Sequence, residues 1–230
     1  MGYNRGMHIP ITRYGLPQAV LYPALVLVLM AVFFVFLPGL ILIAAEVFLF
    51  FVFIWMLMFF RNPARKINVN ENVLLSPADG TITCITEADV PELGGKSLCI
   101  GMFLSIWNVH INRMPCSVRV ESVRYKKGNF KNAKTEESGR VNESNGITMT
   151  RLSEPQVRLM VRQVSGAVAR HIVCDAKEGQ NFKQGEIFGM IKFGSRTELY
   201  LPLNTGNYEI AVKTGDKVNA GLSPLIIYKS

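Results

Sequence analysis

EGQNFKQGEIFGMIKF, residues 178–193, and TGDKVNAGLSPLIIYK, residues 214–229, are two copies of one pattern. Gly179, Phe182 and Gly185 in the first recur as Gly215, Val218 and Gly221 in the second, at a constant offset of 36 residues. The spacing Gly-x-x-apolar-x-x-Gly sets one buried side chain between two turns, and glycine adopts the positive φ angles of tight turns without steric penalty. Self-similarity at a fixed period marks a repeated structural unit. Two turn-strand-turn units of this kind suit a two-fold barrel-sandwich.

The surrounding chain has the same character. From residue 62 to Ser230 the apolar runs are short and rich in Val, Ile, Phe and Tyr, among them TITCI, SLCIGMFLSI, SVRVESVRY, GITMTRL, VRLMVRQV and TELYLPL. Turn residues interrupt them about every ten positions, the signature of a mainly β domain. The repeat itself resembles the hammerhead of lipoyl and biotinyl carrier domains, which present a modified lysine on a hairpin tip between the two half-motifs. Here Lys192 lies inside a strand-like run, and Gly194-Ser195 stands in the tip region. A non-catalytic, membrane-anchored carrier or adaptor module is therefore one reading to weigh.

Upstream the composition changes completely. Residues 19–60, AVLYPALVLVLMAVFFVFLPGLILIAAEVFLFFVFIWMLMFF, hold a single charge, Glu46. A bilayer core of roughly 30 Å needs about 20 helical residues per crossing, and residues 20–37 and 40–60 each come close, separated by Pro38-Gly39. The expectation is two hydrophobic membrane helices, spanning or re-entrant, within an anchoring segment 1–61 that precedes a globular domain 62–230. Arg5 and Arg13 lie before the pair and Arg61, Arg65 and Lys66 after it, so the positive-inside rule puts both ends, and the domain, on the cytoplasmic side of the cell membrane. A signal peptide would have a shorter apolar region followed by a small-residue cleavage site.

The formal charge of +8 suits an anionic leaflet. RYKKGNFKNAK, residues 124–134, is a candidate lipid-facing strip with Tyr125 and Phe130 among its charges, a solvated hairpin being the plain alternative. Nucleic-acid binding would leave the membrane hairpin without a purpose. Cys84, Cys99, Cys116 and Cys174 show no Cys-x-x-Cys spacing, so no zinc site is expected and the four thiols read as reduced and structural. His8, His110 and His171 form no local metal motif.

Three stretches compete for the chemistry. SPADG, residues 76–80, is an ordinary turn, or a rigid mount from which Asp79 orients a histidine. FLSIWNVHINRMP, residues 103–115, places His110 at the end of a strand-like run, either as a satisfied core residue or as a base walled by Asn108, Asn112 and Arg113. Gly194-Ser195 alone is a dipeptide that composition produces about once by chance, and its plain reading is a hairpin turn.

Together these stretches carry a resemblance. SPADG, the His110–Pro115 segment, VNESN at 141–145, VRQVSGAVARHIV at 161–173 and FGSRTELYLP at 193–202 occur in the order and spacing of the phosphatidylserine decarboxylase proenzymes, and the hydrophobic N-terminus is similar to their short form. The resemblance implies self-cleavage between Gly194 and Ser195 into a large chain, 1–194, and a small chain, 195–230, that stay together as a heterodimer. It implies that Ser195 becomes a pyruvoyl group, the only cofactor, with no metal. That group forms a Schiff base with the serine amine of phosphatidylserine, and loss of CO2 leaves phosphatidylethanolamine. On this resemblance His110 is the base for self-cleavage and a candidate acid in decarboxylation, and Asp79 orients His110. Arg113 stands where longer members carry a second histidine, a candidate for holding the substrate carboxylate or phosphate, with a structural ion pair as its alternative. Archaetidylserine shares the reacting head group, so the lipid backbone stays open. So do self-association into homo-oligomers and an inactive relative that merely binds anionic lipid.

Overall fold

The computed structural model describes residues 10–167, 171–192, 194–204 and 206–229; Arg5, His8, residues 168–170 and Phe193 lie outside the described residues. The chain forms two compact units, Met1–Ala64 and Arg65–Ser230, so Arg65 belongs to the second.

The first unit is a pair of helices, α1 (Leu16–Phe36) and α2 (Gly39–Phe59), of 21 residues each. At 1.5 Å per residue each is about 31 Å long, the thickness of a bilayer core. Leu37 and Pro38 are extended. Gly39 follows at φ +53°, a turn a residue with a side chain would resist. Phe34, Phe36, Leu40 and Phe48 all project outward and exposed. Helices apolar on every side are at ease in lipid and not in water, and both are long and apolar enough to cross a membrane.

The second unit is mainly β. Its strands are β1 (Val73–Leu75), β2 (Gly80–Val90), β3 (Gly95–Leu104), β4 (Ile111–Arg113), β5 (Val118–Lys126), β6 (Ser144–Arg151), β7 (Arg158–Val164), β8 (His171–Cys174), β9 (Asn181–Phe182), β10 (Ile187–Lys192), β11 (Ser195–Pro202), β12 (Tyr208–Ile210), β13 (Lys217–Val218) and β14 (Pro224–Tyr228), with helix α3 (Glu136–Val141) between β5 and β6. Eight of them form an antiparallel sheet in the order β13-β2-β3-β11-β7-β6-β5-β9, curled into a half-barrel. Two three-stranded sheets, β1-β14-β12 and β4-β10-β8, complete the sandwich. Ile82, Met102, Val118, Ile147, Phe188 and Leu225 are among the fully buried residues of the main core. Each such side chain contributes about 1.5–3 kcal/mol by leaving water.

The repeat closes the sandwich as its pattern predicts. Gly179, Gly185, Gly215 and Gly221 all have φ between 72° and 96°, and Phe182 and Val218 both enter the main core. The Gly179 and Gly215 N–H groups donate to the carbonyls of Val120 and Ile82, each at 2.9 Å, while those of Gly185 and Gly221 donate to Met114 and Ser76, each at 2.8 Å. The acceptors also form two matched segments, residues 76–82 and 114–120, with sequences SPADGTI and MPCSVRV. A pseudo-two-fold thus relates both halves of the motif and both of their partners. Under it Asp79 corresponds to Ser117: the Ala220 N–H donates to Asp79 Oδ1 at 2.7 Å, and the Gln184 N–H donates to Ser117 Oγ at 3.3 Å.

Candidate active site

β11 runs through the middle of the large sheet, paired to β3 on one edge and β7 on the other. Its side chains alternate between the faces. Leu199 and Leu201, and with them Ser195 and Thr197, face the main core, whereas Arg196, Glu198 and Tyr200 face the opposite side. β10 lies in a different sheet from β11. The Gly194-Ser195 joint is therefore not the hairpin turn of the plain reading but a corner where the chain changes sheets. Gly194 sits at φ +66°, a left-handed conformation that glycine adopts freely.

His110 is fully buried immediately before β4. Its Nδ1 lies 3.0 Å from the Asn108 carbonyl oxygen. A carbonyl only accepts, so Nδ1 carries the proton and Nε2 the lone pair. That lone pair receives the Gly194 N–H at 3.2 Å. On the next residue the Ser195 hydroxyl is buried and has no hydrogen-bond partner among the described residues. A Cβ placed on Gly166 would lie 2.2 Å from the Gly194 carbonyl oxygen, an approach open only to glycine. Beside it, Ser165 holds a second buried hydroxyl without a partner among the described residues.

A buried amide chain fixes the start of β11. Asn145 Nδ2 donates to Gln163 Oε1 at 3.3 Å, Gln163 Nε2 to Asn112 Oδ1 at 2.9 Å, and Asn112 Nδ2 to Thr197 Oγ1 at 3.1 Å. These residues come from β6, β7, β4 and β11, so separate stretches of the sequence meet two positions beyond Ser195.

Asp79 does not make the expected hydrogen bond to His110. Its carboxylate is held by both Nη atoms of Arg65 at 2.7 Å and by the Ala220 N–H. The group at His110 Nδ1 is the Asn108 carbonyl instead. The reason is local: the pseudo-two-fold turns Asp79 toward the hammerhead, where a buried carboxylate needs a cation, and Arg65 also donates to the Ala220 carbonyl at 2.6 Å. Arg113 joins this cluster, not the His110–Ser195 pair: its Nη1 donates to the Gly185 carbonyl at 2.9 Å. Burial, and then the Arg65 charge, lower Arg113 to about 10 against the pull of Asp79. The SPADG turn still reaches His110 through the backbone, because the Pro77 carbonyl accepts from the Arg113 N–H at 3.0 Å and from Asn112 Nδ2 at 3.4 Å.

The opposite face of β11 lines a cavity of about 760 Å³. Glu198 there accepts from Arg196 and Arg162 and from the Tyr200 hydroxyl, each at 2.7 Å. Burial raises its carboxyl, but the Arg162 and Arg196 charges outweigh that and hold it below the usual range. Arg196 Nη2 is 2.9 Å from Cys84 Sγ. A hydrogen bond from Cys99 and the Arg196 charge lower the Cys84 thiol to about 6, against burial. This network pins β11 next to Ser195 but opens on the face away from the Ser195 hydroxyl.

Arg65, the Asn108 carbonyl and Gly166 escaped the sequence reading. Arg65 looked like a membrane-flanking charge, and a backbone carbonyl leaves no trace in composition. Gly166 lies within VRQVSGAVARHIV, where no spacing assigns its partner. Among the described residues no three His, Cys, Asp or Glu side chains converge as metal ligands.

Comparison with known proteins identifies the family. The family model described as phosphatidylserine decarboxylase matches residues 52–225. The phosphatidylserine decarboxylase proenzyme of Carboxydothermus hydrogenoformans is 39% identical over 175 residues, 76% of this chain and 80% of that one. That of Geotalea daltonii is 40% identical over 168 residues, 73% and 76% of the two chains. That of Wolbachia pipientis wMel is 42% identical over 168 residues, 71% of each. With a family match over most of its length and relatives of this similarity, the chain belongs to the phosphatidylserine decarboxylase family.

Proposed function

We propose that this chain is a self-cleaving decarboxylase of phosphatidylserine whose reacting position is residue 195. The observation that carries the reading is the His110 Nε2 lone pair on the Gly194 amide, beside a buried Ser195 hydroxyl with no partner among the described residues. Serine is a weak nucleophile and needs a base within reach. When Gly194 N–H releases Nε2, the lone pair takes the Ser195 hydroxyl proton and Oγ attacks the Gly194 carbonyl carbon. The Gly194–Ser195 C–N bond breaks, its nitrogen regains a proton, and an ester joins Gly194 to Ser195 Oγ. Removal of the Ser195 Cα proton then expels the Gly194 carboxylate. Addition of water and loss of ammonia leave a pyruvoyl group at 195.

The residues present fit this group: the hydroxyl it derives from is an orphaned polar atom, and Gly166 leaves room for the carbonyl under attack. Once formed, the pyruvoyl group supplies an electron-withdrawing carbonyl in place of a dissociable cofactor. The Asn145–Gln163–Asn112 chain holds Thr197 still while the glycine joint moves. His110 remains beside residue 195, and its Nε2 is the acid that returns a proton to the substrate carbon after CO2 leaves. Asp79 acts as a positioning residue: clamped by Arg65, it fixes the turn whose Pro77 carbonyl holds the strand that follows His110.

The names of the relatives support phosphatidylserine as substrate, and the two apolar helices support a membrane location, with the basic flanks favouring the cytoplasmic side. Residues 1–61 then serve as anchor and 62–230 as the decarboxylase domain, cut into 1–194 and 195–230. Lys192 is buried within β10 and is not offered at a tip, so nothing speaks for a carrier module. Intact-mass analysis is the test. The 25.7 kDa chain should divide after Gly194, the small piece should have a blocked N-terminus, Ser195→Ala should stay whole, and cleaved protein should release CO2 from phosphatidylserine. A wild-type chain that stays whole and releases none would overturn the proposal.

A further inference from the structure

Two segments border the Gly194-Ser195 joint, and both carry large exposed apolar groups. Ile106 Cγ2 lies 3.8 Å from where a Gly194 side chain would begin. Ala133 Cβ lies 3.2 Å from the corresponding point on Gly166, whose other neighbour is the Gly194 carbonyl. From the first segment Ile106 and Trp107 project at 41% and 60% exposure, and from the second Phe130 at 40%. Between Arg124 and Lys134 the chain holds five cations and no acid.

The backbone beneath these side chains is fixed. Asn108 Oδ1 accepts from the Ser105 N–H at 2.9 Å and from its hydroxyl at 2.8 Å, closing the turn that lifts Ile106 and Trp107. Asn142 holds the other segment: its Oδ1 accepts from the Lys131 N–H at 2.9 Å, and its Nδ2 donates to the Lys131 and Ser165 carbonyls, each at 2.8 Å. The second loop is thus tied to the residue before Gly166. Lys127 is exposed, Lys134 Nζ sits 5.2 Å over the Phe103 ring, and Lys131 meets the exposed Glu137, a surface pair that holds it only weakly.

We propose that Ile106, Trp107 and Phe130, with Lys127, Lys131 and Lys134, form the rim by which the domain rests on an anionic lipid bilayer, with the residue 195 joint facing the head groups. Tryptophan favours the membrane interface, and each lysine near an anionic leaflet adds attraction that salt screens. A bilayer fits better than a protein partner because the same chain carries two helices able to cross one, so the surface is always at hand. A membrane tether would bring the domain close, and the rim would orient it. The inference rests on the proposed role of residue 195 for its purpose, but its test does not.

The chain has two tryptophans, Trp55 and Trp107, so Trp55→Phe leaves Trp107 as the sole reporter. Adding Ser195→Ala keeps the chain whole, making the result independent of cleavage. This full-length variant is reconstituted into vesicles of phosphatidylcholine, alone or mixed with phosphatidylglycerol, which is anionic but has no amine to react. The acyl chains carry bromine close to the head groups. In the mixed vesicles Trp107 emission should shift to the blue and fall about two-fold as the ring enters the interface. Reversing Lys127, Lys131 and Lys134 to Glu, all on the surface, should abolish both changes. Trp107 emission that is the same in neutral and anionic vesicles, or that ignores the three reversals, would overturn the proposal. Docking without any cleavage by the wild-type chain would instead fault only the decarboxylase reading.

Discussion

Gly166→Ala is the sharpest probe of how the scissile carbonyl is held. The added methyl would stand 2.2 Å from the Gly194 carbonyl oxygen, 3.2 Å from its carbon and 3.2 Å from Ala133 Cβ. Ala133 is buried at the base of the second loop, so the yielding element is the glycine joint. Restoring an ordinary contact moves the carbonyl by about 1 Å, and a displacement of that size at a reacting centre slows a reaction roughly 10²-fold. Overpacking of this kind also lowers stability by about 1–3 kcal/mol, so the fold survives in a domain of ordinary stability. The assay follows the whole chain and the 195–230 fragment on a denaturing gel over time, with thermal melting run in parallel. Gly146→Ala is the control: its methyl would meet the flexible Met160 sulfur at 3.3 Å and the Arg124 carbonyl oxygen at an ordinary 3.9 Å, and cleavage should proceed normally. If Gly166→Ala folds and cuts itself at the wild-type rate, the close approach of Gly166 to the Gly194 carbonyl plays no part in the reaction.

His110→Gln should keep the fold and slow self-cleavage roughly 10²- to 10⁴-fold, the usual worth of a positioned base; the same gel reads it, and cleavage at full speed would remove His110 from the mechanism. Arg65→Ala strands a buried carboxylate and should cost about 3–5 kcal/mol, seen as a lower denaturation midpoint, whereas Arg65→Ala with Asp79→Ala should recover part of the loss. The Cys84 thiol, held down by the Cys99 hydrogen bond and the Arg196 charge, should be alkylated at a rate that rises with pH through about 6 and then levels off, because the thiolate is the nucleophile. Mass spectrometry of the labelled peptide checks it, and a midpoint near the ordinary cysteine value of about 8.5 would refute the assignment.

Most of the fold could be read from two short copies of one pattern, because glycine spacing records turn geometry directly. The apolar run 19–60 announced its helices for a similar reason: length and hydrophobicity suffice for a bilayer. Their partners were hidden. SPADGTI and MPCSVRV correspond under the pseudo-two-fold yet share little beyond Pro77 and Pro115, since backbone groups make the matched hydrogen bonds and side chains are left free to diverge. The same divergence misled the reading of Asp79. Its place in the turn was clear, but its partner, Arg65, lies 14 residues earlier in a stretch whose charges served another argument. His110 and Ser195 came from ordered motifs and do meet at Gly194, whereas the tautomer of His110 depends on a carbonyl that composition cannot display.

The change of sheets at Gly194 gives a break there an unusual outcome. The piece that begins at Ser195 contributes β11 between β3 and β7, β13 beside β2, and β14 beside β1. Once cut, it cannot leave without opening the middle of the large sheet, stripping β13 from its edge and removing the central strand of the β1-β14-β12 sheet. The continuous chain can find this interleaved arrangement as a one-body search; the two pieces, once separated, would face a second-order one with strands exposed. Such a molecule would assemble before it is divided and, after denaturation, would not readily come back.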